Sequence, residues 1–143
     1  MAIRRIDSLG YQISLLGRLY DRHLQTALKD LGVAPGQFAP LVMLFEHDGL
    51  TQAELCRRIN VEQPTMANTL SRMERDGLIT RKADSGDKRR ASVFLTPRAK
   101  QIHEKVVDAA RTVSGRALSG LSPAEHSEVF RLLAQMVENL NNH

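Results

Sequence analysis

The sequence predicts a mainly α fold with a small β-wing, a winged helix-turn-helix flanked by N- and C-terminal helices, and three observations carry the prediction. Apolar residues recur at steps of three and four along most of the chain, which is helical spacing. Leu, Ala, Met and Val are plentiful while aromatic residues make up 4% with no Trp, so the core is aliphatic. Residues 51–96 set their parts in the order helix, helix, short strand, polar loop with basic residues, short strand. Such an order places one helix in a DNA major groove and a hairpin tip beside it.

The elements follow in turn. From Ile6, the residues Leu9, Ile13, Leu16, Tyr20, Leu24 and Ala27 share one stripe, predicting a helix of about seven turns. It closes at Leu31-Gly32, where glycine supplies a left-handed turn. Ala34-Pro35-Gly36 opens a second helix carrying Phe38, Leu41, Val42 and Phe45, with Pro40 inside it. A proline there removes a donor and crowds the preceding turn, which predicts a bend or a late helix start. Asp48-Gly49 is a turn, and Leu50 a short β residue. Thr51-Gln52-Ala53-Glu54 has the pattern of a capping box, starting a helix that ends near Asn60. Val61-Glu62-Gln63-Pro64 begins the next, proline being tolerated in a first turn. Met66, Leu70 and Met73 form its inner stripe, and Asp76-Gly77 ends it. Leu78 to Lys82 and Ala91 to Leu95 are strand-length segments joined by a loop from Ala83 to Arg90. Thr96-Pro97 caps a long helix with Ile102, Val106, Ala109, Val113 and Ala117 on one side. Ser122-Pro123-Ala124-Glu125 is a second capping box, opening a last helix with Val129, Leu132, Leu133, Met136, Val137 and Leu140.

At 143 residues the chain fits a single domain able to bury a core without staples. Its one cysteine excludes an internal disulfide and a Cys-cluster metal site. No apolar run approaches the roughly 20 residues of a membrane span, and M-A-I-R-R-I-D-S-L-G has no apolar signal core, so a cytoplasmic protein without a membrane partner is expected. The net charge is +4, and residues 51–100 hold eleven basic against six acidic side chains, so the basic excess lies entirely in the middle. Localised positive charge suits a polyanion, because each neutralised phosphate releases counterions.

Other chemistry has no residues behind it. His23, His47, His103, His126 and His143 never fall at metal-ligand spacing with one another, with Cys or with carboxylates. There is no phosphate-binding glycine loop and no nucleophile elbow, so neither enzyme, metal nor cofactor is expected. Cys56, between Leu55 and Arg57, falls on the inner side of its helix as a small core residue. The terminal regions carry long apolar stripes that a central lobe of some 50 residues cannot cover. The economical solution is a homodimer whose N- and C-terminal helices pack together and against a second copy, the alternative being a monomeric helical bundle.

Two segments carry a specific resemblance. V-E-Q-P-T-M-A-N-T-L-S-R-M-E-R-D-G-L-I-T-R, with Asp87-Lys88-Arg89-Arg90-Ala91-Ser92-Val93 and Leu95-Thr96 as the wing signature, resembles the MarR family of transcriptional regulators and, within it, the SlyA-like branch. The helix order before and after also matches, so the resemblance spans nearly the whole chain. It implies one domain over 1–143, with a DNA-binding lobe at 33–97 and dimerisation helices at 1–32 and 98–143. It further implies a homodimer on a pseudo-palindromic double-stranded operator, a repressor or anti-silencer released by a small phenolic or anionic ligand.

Carried onto this chain, the resemblance makes Glu62 to Asp76 the recognition helix. Thr65 and Asn68 are then placed for base edges, with Gln63, Pro64, Ala67 and Ser71 at the groove and Arg72 on phosphate. Asparagine suits a bidentate contact with adenine, and Ala or a Thr methyl the thymine methyl. Asn68 stands where many relatives carry Arg, so their base preference does not transfer. In the wing, Arg89 enters the minor groove, Asp87 holds Arg89 or a neighbouring helix in place, and Lys88 and Arg90 meet phosphate or groove. A ligand pocket is expected between the dimer helices and the DNA-binding lobe, with Tyr20, His23, Phe38 and Met43 as its candidates. The peroxide-sensing branch of the family uses a cysteine in the first helix, and none stands there in this chain. The rival reading is a winged-helix protein–protein adaptor that does not bind DNA; the basic wing and the polar outward face of 62–76 weigh against it.

Overall fold

The computed structural model describes residues 2–142 apart from 85 and 86, and for Asp84, Asp87 and Lys88 the backbone alone. Helix α1, Leu9–Leu28, is capped by the Ser8 hydroxyl, which accepts from the Tyr11 amide at 3.2 Å. A 3-10 turn, Lys29–Leu31, follows it and ends on Gly32 in the left-handed region at φ 71°. Helix α2, Pro35–Glu46, then leads to α3, Gln52–Ile59, and α4, Gln63–Arg75. Strands β1, Ile79–Asp84, and β2, Asp87–Leu95, pair antiparallel, and α5, Pro97–Gln101, α6, His103–Ala117, and α7, Pro123–Asn141, complete the chain. This is the mainly α winged helix expected from the sequence.

The core sits where the apolar stripes of α2, α3 and α4 meet the inner face of the hairpin. Leu41, Leu44, Leu55, Leu70, Met73, Leu78 and Val93 are wholly buried, with Met66 and Ile79 at 1% exposure. Met66, Leu70 and Met73 are the predicted inner stripe of α4. Leu24 and Leu28 of α1 and Val106 and Val113 of α6 extend the same cluster into the terminal helices. Two left-handed positions make the tight corners: Asn60 (φ 61°) closes α3, and Gly77 (φ 76°) turns the chain from α4 into β1. Asparagine tolerates that region better than other side chains, and glycine has no Cβ to clash.

Several expectations are corrected. The late start allowed for at Pro40 does not occur, because α2 already begins at Pro35 and runs through Pro40 to Glu46. The carbonyl that Pro40 leaves without an intrahelical donor belongs to Gly36, at the exposed start of the helix. The β contact beside Leu50 falls on Thr51, which bridges Ser92, while the Leu50 carbonyl accepts from Val93 N at 2.8 Å. The Thr51 hydroxyl caps α3 by accepting from Glu54 N at 3.1 Å, but it donates to the Glu54 carboxylate at 3.2 Å, so the reciprocal half of the box runs to the hydroxyl. The box at Ser122 forms in full, with Ser122 N donating to Glu125 at 2.9 Å. The long helix after Thr96 is interrupted at Ile102, between α5 and α6. The strands run further than predicted: β1 reaches Asp84 and β2 begins at Asp87, so Arg89 and Arg90 belong to a strand.

Candidate nucleic-acid interface

Helix α4 presents a polar face because its apolar residues are confined to one stripe. Pro64, Thr65, Asn68, Ser71, Arg72 and Arg75 are exposed, while Gln63, Ala67 and Thr69 are half-buried at the margins. At helical spacing 65, 68, 72 and 75 fall on one side and 66, 70 and 73 on the other. The Thr69 hydroxyl turns back to the Thr65 carbonyl at 3.0 Å, which removes it from the outward set. Asn68 and Arg72 make no side-chain hydrogen bond or ion pair among the described residues.

Three contacts that the sequence did not reveal fix α4 against its surroundings. Arg81 of β1, only 21% exposed, donates through Nη2 to Ser71 Oγ at 3.3 Å and to Glu74 Oε1 at 3.1 Å, tying the hairpin to the helix. The same hydrogen bond holds the Glu74 carboxyl below its ordinary range. At the C-terminal end, Gln37 of α2 donates to Asp76 Oδ2 at 2.9 Å and is the main cause of the lowered Asp76 pKa, with Arg75 and Arg98 adding to it. Arg98 of α5 donates through Nη1 to the Asp76 carbonyl and through Nη2 to the Leu31 carbonyl at 3.2 Å. One guanidinium therefore joins the end of α4 to the turn after α1. Arg81, Gln37 and Arg98 are ordinary residues in a one-dimensional pattern, since each partner lies on another element.

The start of α4 is also held from α3. Gln52, 3% exposed, donates through Nε2 to Gln63 Oε1 at 3.0 Å, while its own Oε1 is buried without a partner. On the hairpin, Arg89 and Arg90 are exposed. The expected contact of Asp87 with Arg89 and the role of Lys88 lie outside the described side chains. Arg57 and Arg58 on α3 and Lys82 on β1 are further exposed cations of the lobe.

The four ligand candidates do not fall together. Tyr20 and His23 line a cleft of about 220 Å³ between α1 and α6, with Leu16, Leu19, Val113, Arg116 and Ala117. The Tyr20 hydroxyl is 2.9 Å from Ser114 Oγ. Phe38 and Met43 instead pack against the central core and do not line that cleft. Cys56 is buried, and desolvation raises its thiol pKa. Among the described residues no group of three or more His, Cys, Asp or Glu is placed to hold a metal ion, and no helix is long and apolar enough to cross a membrane.

The helix pair α3–α4, the antiparallel hairpin and the flanking helices define a winged helix-turn-helix of the transcription-regulator class. The sequence profile of the MarR family matches residues 33–91. Over 135 residues the chain is 32% identical to the organic hydroperoxide resistance transcriptional regulator of Bacillus subtilis, covering 94% of this chain and 90% of that protein. It is 27% identical over 145 residues to the HTH-type transcriptional repressor NicR of Pseudomonas putida, covering 96% and 92%. A MarR-family transcriptional regulator from Listeria monocytogenes, solved in complex with a 26mer DNA, shares the fold at a TM-score of 0.84 and 24% identity, over 94% of this chain and 90% of that one. The chain belongs to the MarR family of transcriptional regulators, whose members are not enzymes.

Proposed function

We propose that the protein is a homodimeric, sequence-specific repressor that binds a pseudo-palindromic duplex and is released by a small anionic aromatic ligand. One observation carries the DNA reading: α4 turns a mainly polar, largely uncommitted face to solvent beside a hairpin that bears exposed arginines. Within it, Thr65 and Asn68 read base edges, Gln63, Pro64, Ala67 and Ser71 approach the groove, Arg72 neutralises phosphate, and Arg89 enters the minor groove with Asp87, Lys88 and Arg90 around it. The lobe that does this is 33–97. Residues 1–32 and 98–143 form the dimer, since Leu9, Ile13 and Leu16 of α1 and Phe130, Leu133, Val137 and Leu140 of α7 are exposed apolar side chains with no cover in the single chain. Repression is supported by the name of the Pseudomonas putida relative. An anionic aromatic effector is supported by the cleft at Tyr20 and His23, whose mainly apolar lining includes Arg116.

Selection of bound sequences from random duplexes tests the reading, a palindrome being the expected result. Asn68→Ala should then lower affinity for the selected site by about 1–3 kcal/mol and leave random-sequence binding unchanged. Arg72→Ala should weaken both and reduce the salt slope by about one unit. Equal loss of both affinities in the Asn68 variant would remove that side chain from base reading.

A further inference from the structure

We infer that Gln52, a buried residue of α3, is a positioning residue for base reading: it fixes the amide of Gln63 so that Gln63 presents a donor to the groove and selects adenine. The inference rests on α4 being the groove helix. Gln52 is 3% exposed at the first position of α3, and Gln63 is half-buried at the first position of α4. The 3.0 Å hydrogen bond from Gln52 Nε2 to Gln63 Oε1 ties the N-terminal ends of the two helices together.

The direction of that bond follows from what each alternative leaves unpaired. As it stands, the orphan is the Gln52 carbonyl oxygen. Turning both amides over would satisfy that oxygen but bury the Gln52 NH2 with neither N–H bonded. An under-satisfied carbonyl is the commoner and cheaper defect in folded proteins, so the observed direction is favoured. A methionine of the same length would avoid the defect altogether, which means that a glutamine here does more than fill space.

Gln63 is left with a defined polarity. Its Oε1 has one lone pair engaged and one open, and its Nε2 meets no acceptor among the described residues. An amide held in this way can donate from Nε2 to adenine N7 while the open lone pair of Oε1 accepts from adenine N6. Without Gln52 the amide turns freely and offers donor or acceptor to either side, so the preference at that base pair is lost while attachment to the backbone is not.

The experiment compares base profiles selected from random duplexes by the full-length parent and by Gln63→Ala, Gln52→Met and Gln63→Glu, with melting temperatures measured alongside. Gln63→Ala and Gln52→Met are expected to flatten the same symmetry-related adenine, each by about tenfold in preference, with unspecific affinity and the melting temperature of Gln52→Met equal to or above the parent's. Gln63→Glu keeps the bond from Gln52 but turns an acceptor outward, so the selected base should change from adenine to cytosine. If the parent enriches a palindrome and Gln52→Met reproduces its profile, Gln52 is only a strut between helices and the assignment is overturned alone. If Gln63→Ala weakens all duplexes equally, Gln63 grips phosphate, which overturns the assignment as well. A parent that enriches no sequence removes both the assignment and the DNA reading beneath it.

Discussion

Leu133 offers the sharpest test of the proposed dimer, because α7 contributes no buried side chain to the single chain and can be altered without touching the core. Leu133 is 46% exposed. Fully burying a leucine is worth about 1.5–3 kcal/mol, so covering the remaining half contributes roughly 0.7–1.4 kcal/mol per protomer. A two-fold interface uses the residue twice, which brings the effect of Leu133→Ala to about 1.5–3 kcal/mol of dimer stability and raises the dimer Kd by roughly 10- to 150-fold. Leu133→Asp should go further, since it also buries a charge without a partner. Sedimentation across a concentration series measures both constants, and far-ultraviolet dichroism confirms that α7 stays helical. A parent that sediments as a monomer at micromolar concentration, or an Asp variant with the parent's Kd, would refute the argument.

Other outcomes follow from the same contacts. Arg89→Ala should weaken binding to the selected duplex by about 1–3 kcal/mol and reduce its preference for A·T pairs beside the recognition half-site, as a titration at ~150 mM salt would show. Asp76 has a folded pKa below its ordinary value, so the stability it confers is present above the usual aspartate range of about 4 and fades as the pH falls through the lowered folded value. Asp76→Asn should therefore flatten the acid limb of a melting-temperature profile, and an unchanged limb would discount the Gln37 contact. The Cys56 thiol, buried and with a raised pKa, should react with a disulfide reagent far more slowly in native protein than in urea.

Local chemistry made the elements legible. The spacing of Met66, Leu70 and Met73, the caps at Thr51, Thr96 and Ser122, and the turns at Gly32, Asn60 and Gly77 all act within a few residues of themselves, so their effect can be read from a string. The wing misled for a physical reason. Its many charges look like a loop, yet a two-stranded hairpin can expose charged side chains along the strand and still pair its backbone, as Lys82 does with Ser92. At Pro40 only the late helix start misled, because a carbonyl left open to water is tolerated. For the candidate site, the outward face of α4 was legible from periodicity. Gln52, Gln37, Arg81 and Arg98 were not, since each acquires its role only when a residue on another element arrives beside it.

The clamp formed by Arg98 makes the C-terminal end of α4 a pivot. Its guanidinium grips two backbone carbonyls, that of Asp76 at the end of α4 and that of Leu31 in the turn after α1. Movement of the turn after α1 would reach α4 first at Asp76, with the contacts of Arg81 and Gln52 following the helix from that point. Eight residues at 1.5 Å rise place Asn68 about 12 Å from the pivot, so tilting the helix by roughly ten degrees carries Asn68 about 2 Å. That displacement exceeds the tolerance of a hydrogen bond to a base edge, whereas long arginine side chains nearer the pivot can still follow a phosphate. On the proposed roles of Asn68 and Arg72, a modest change of angle at the α1 end would thus silence sequence discrimination before it detached the protein from DNA.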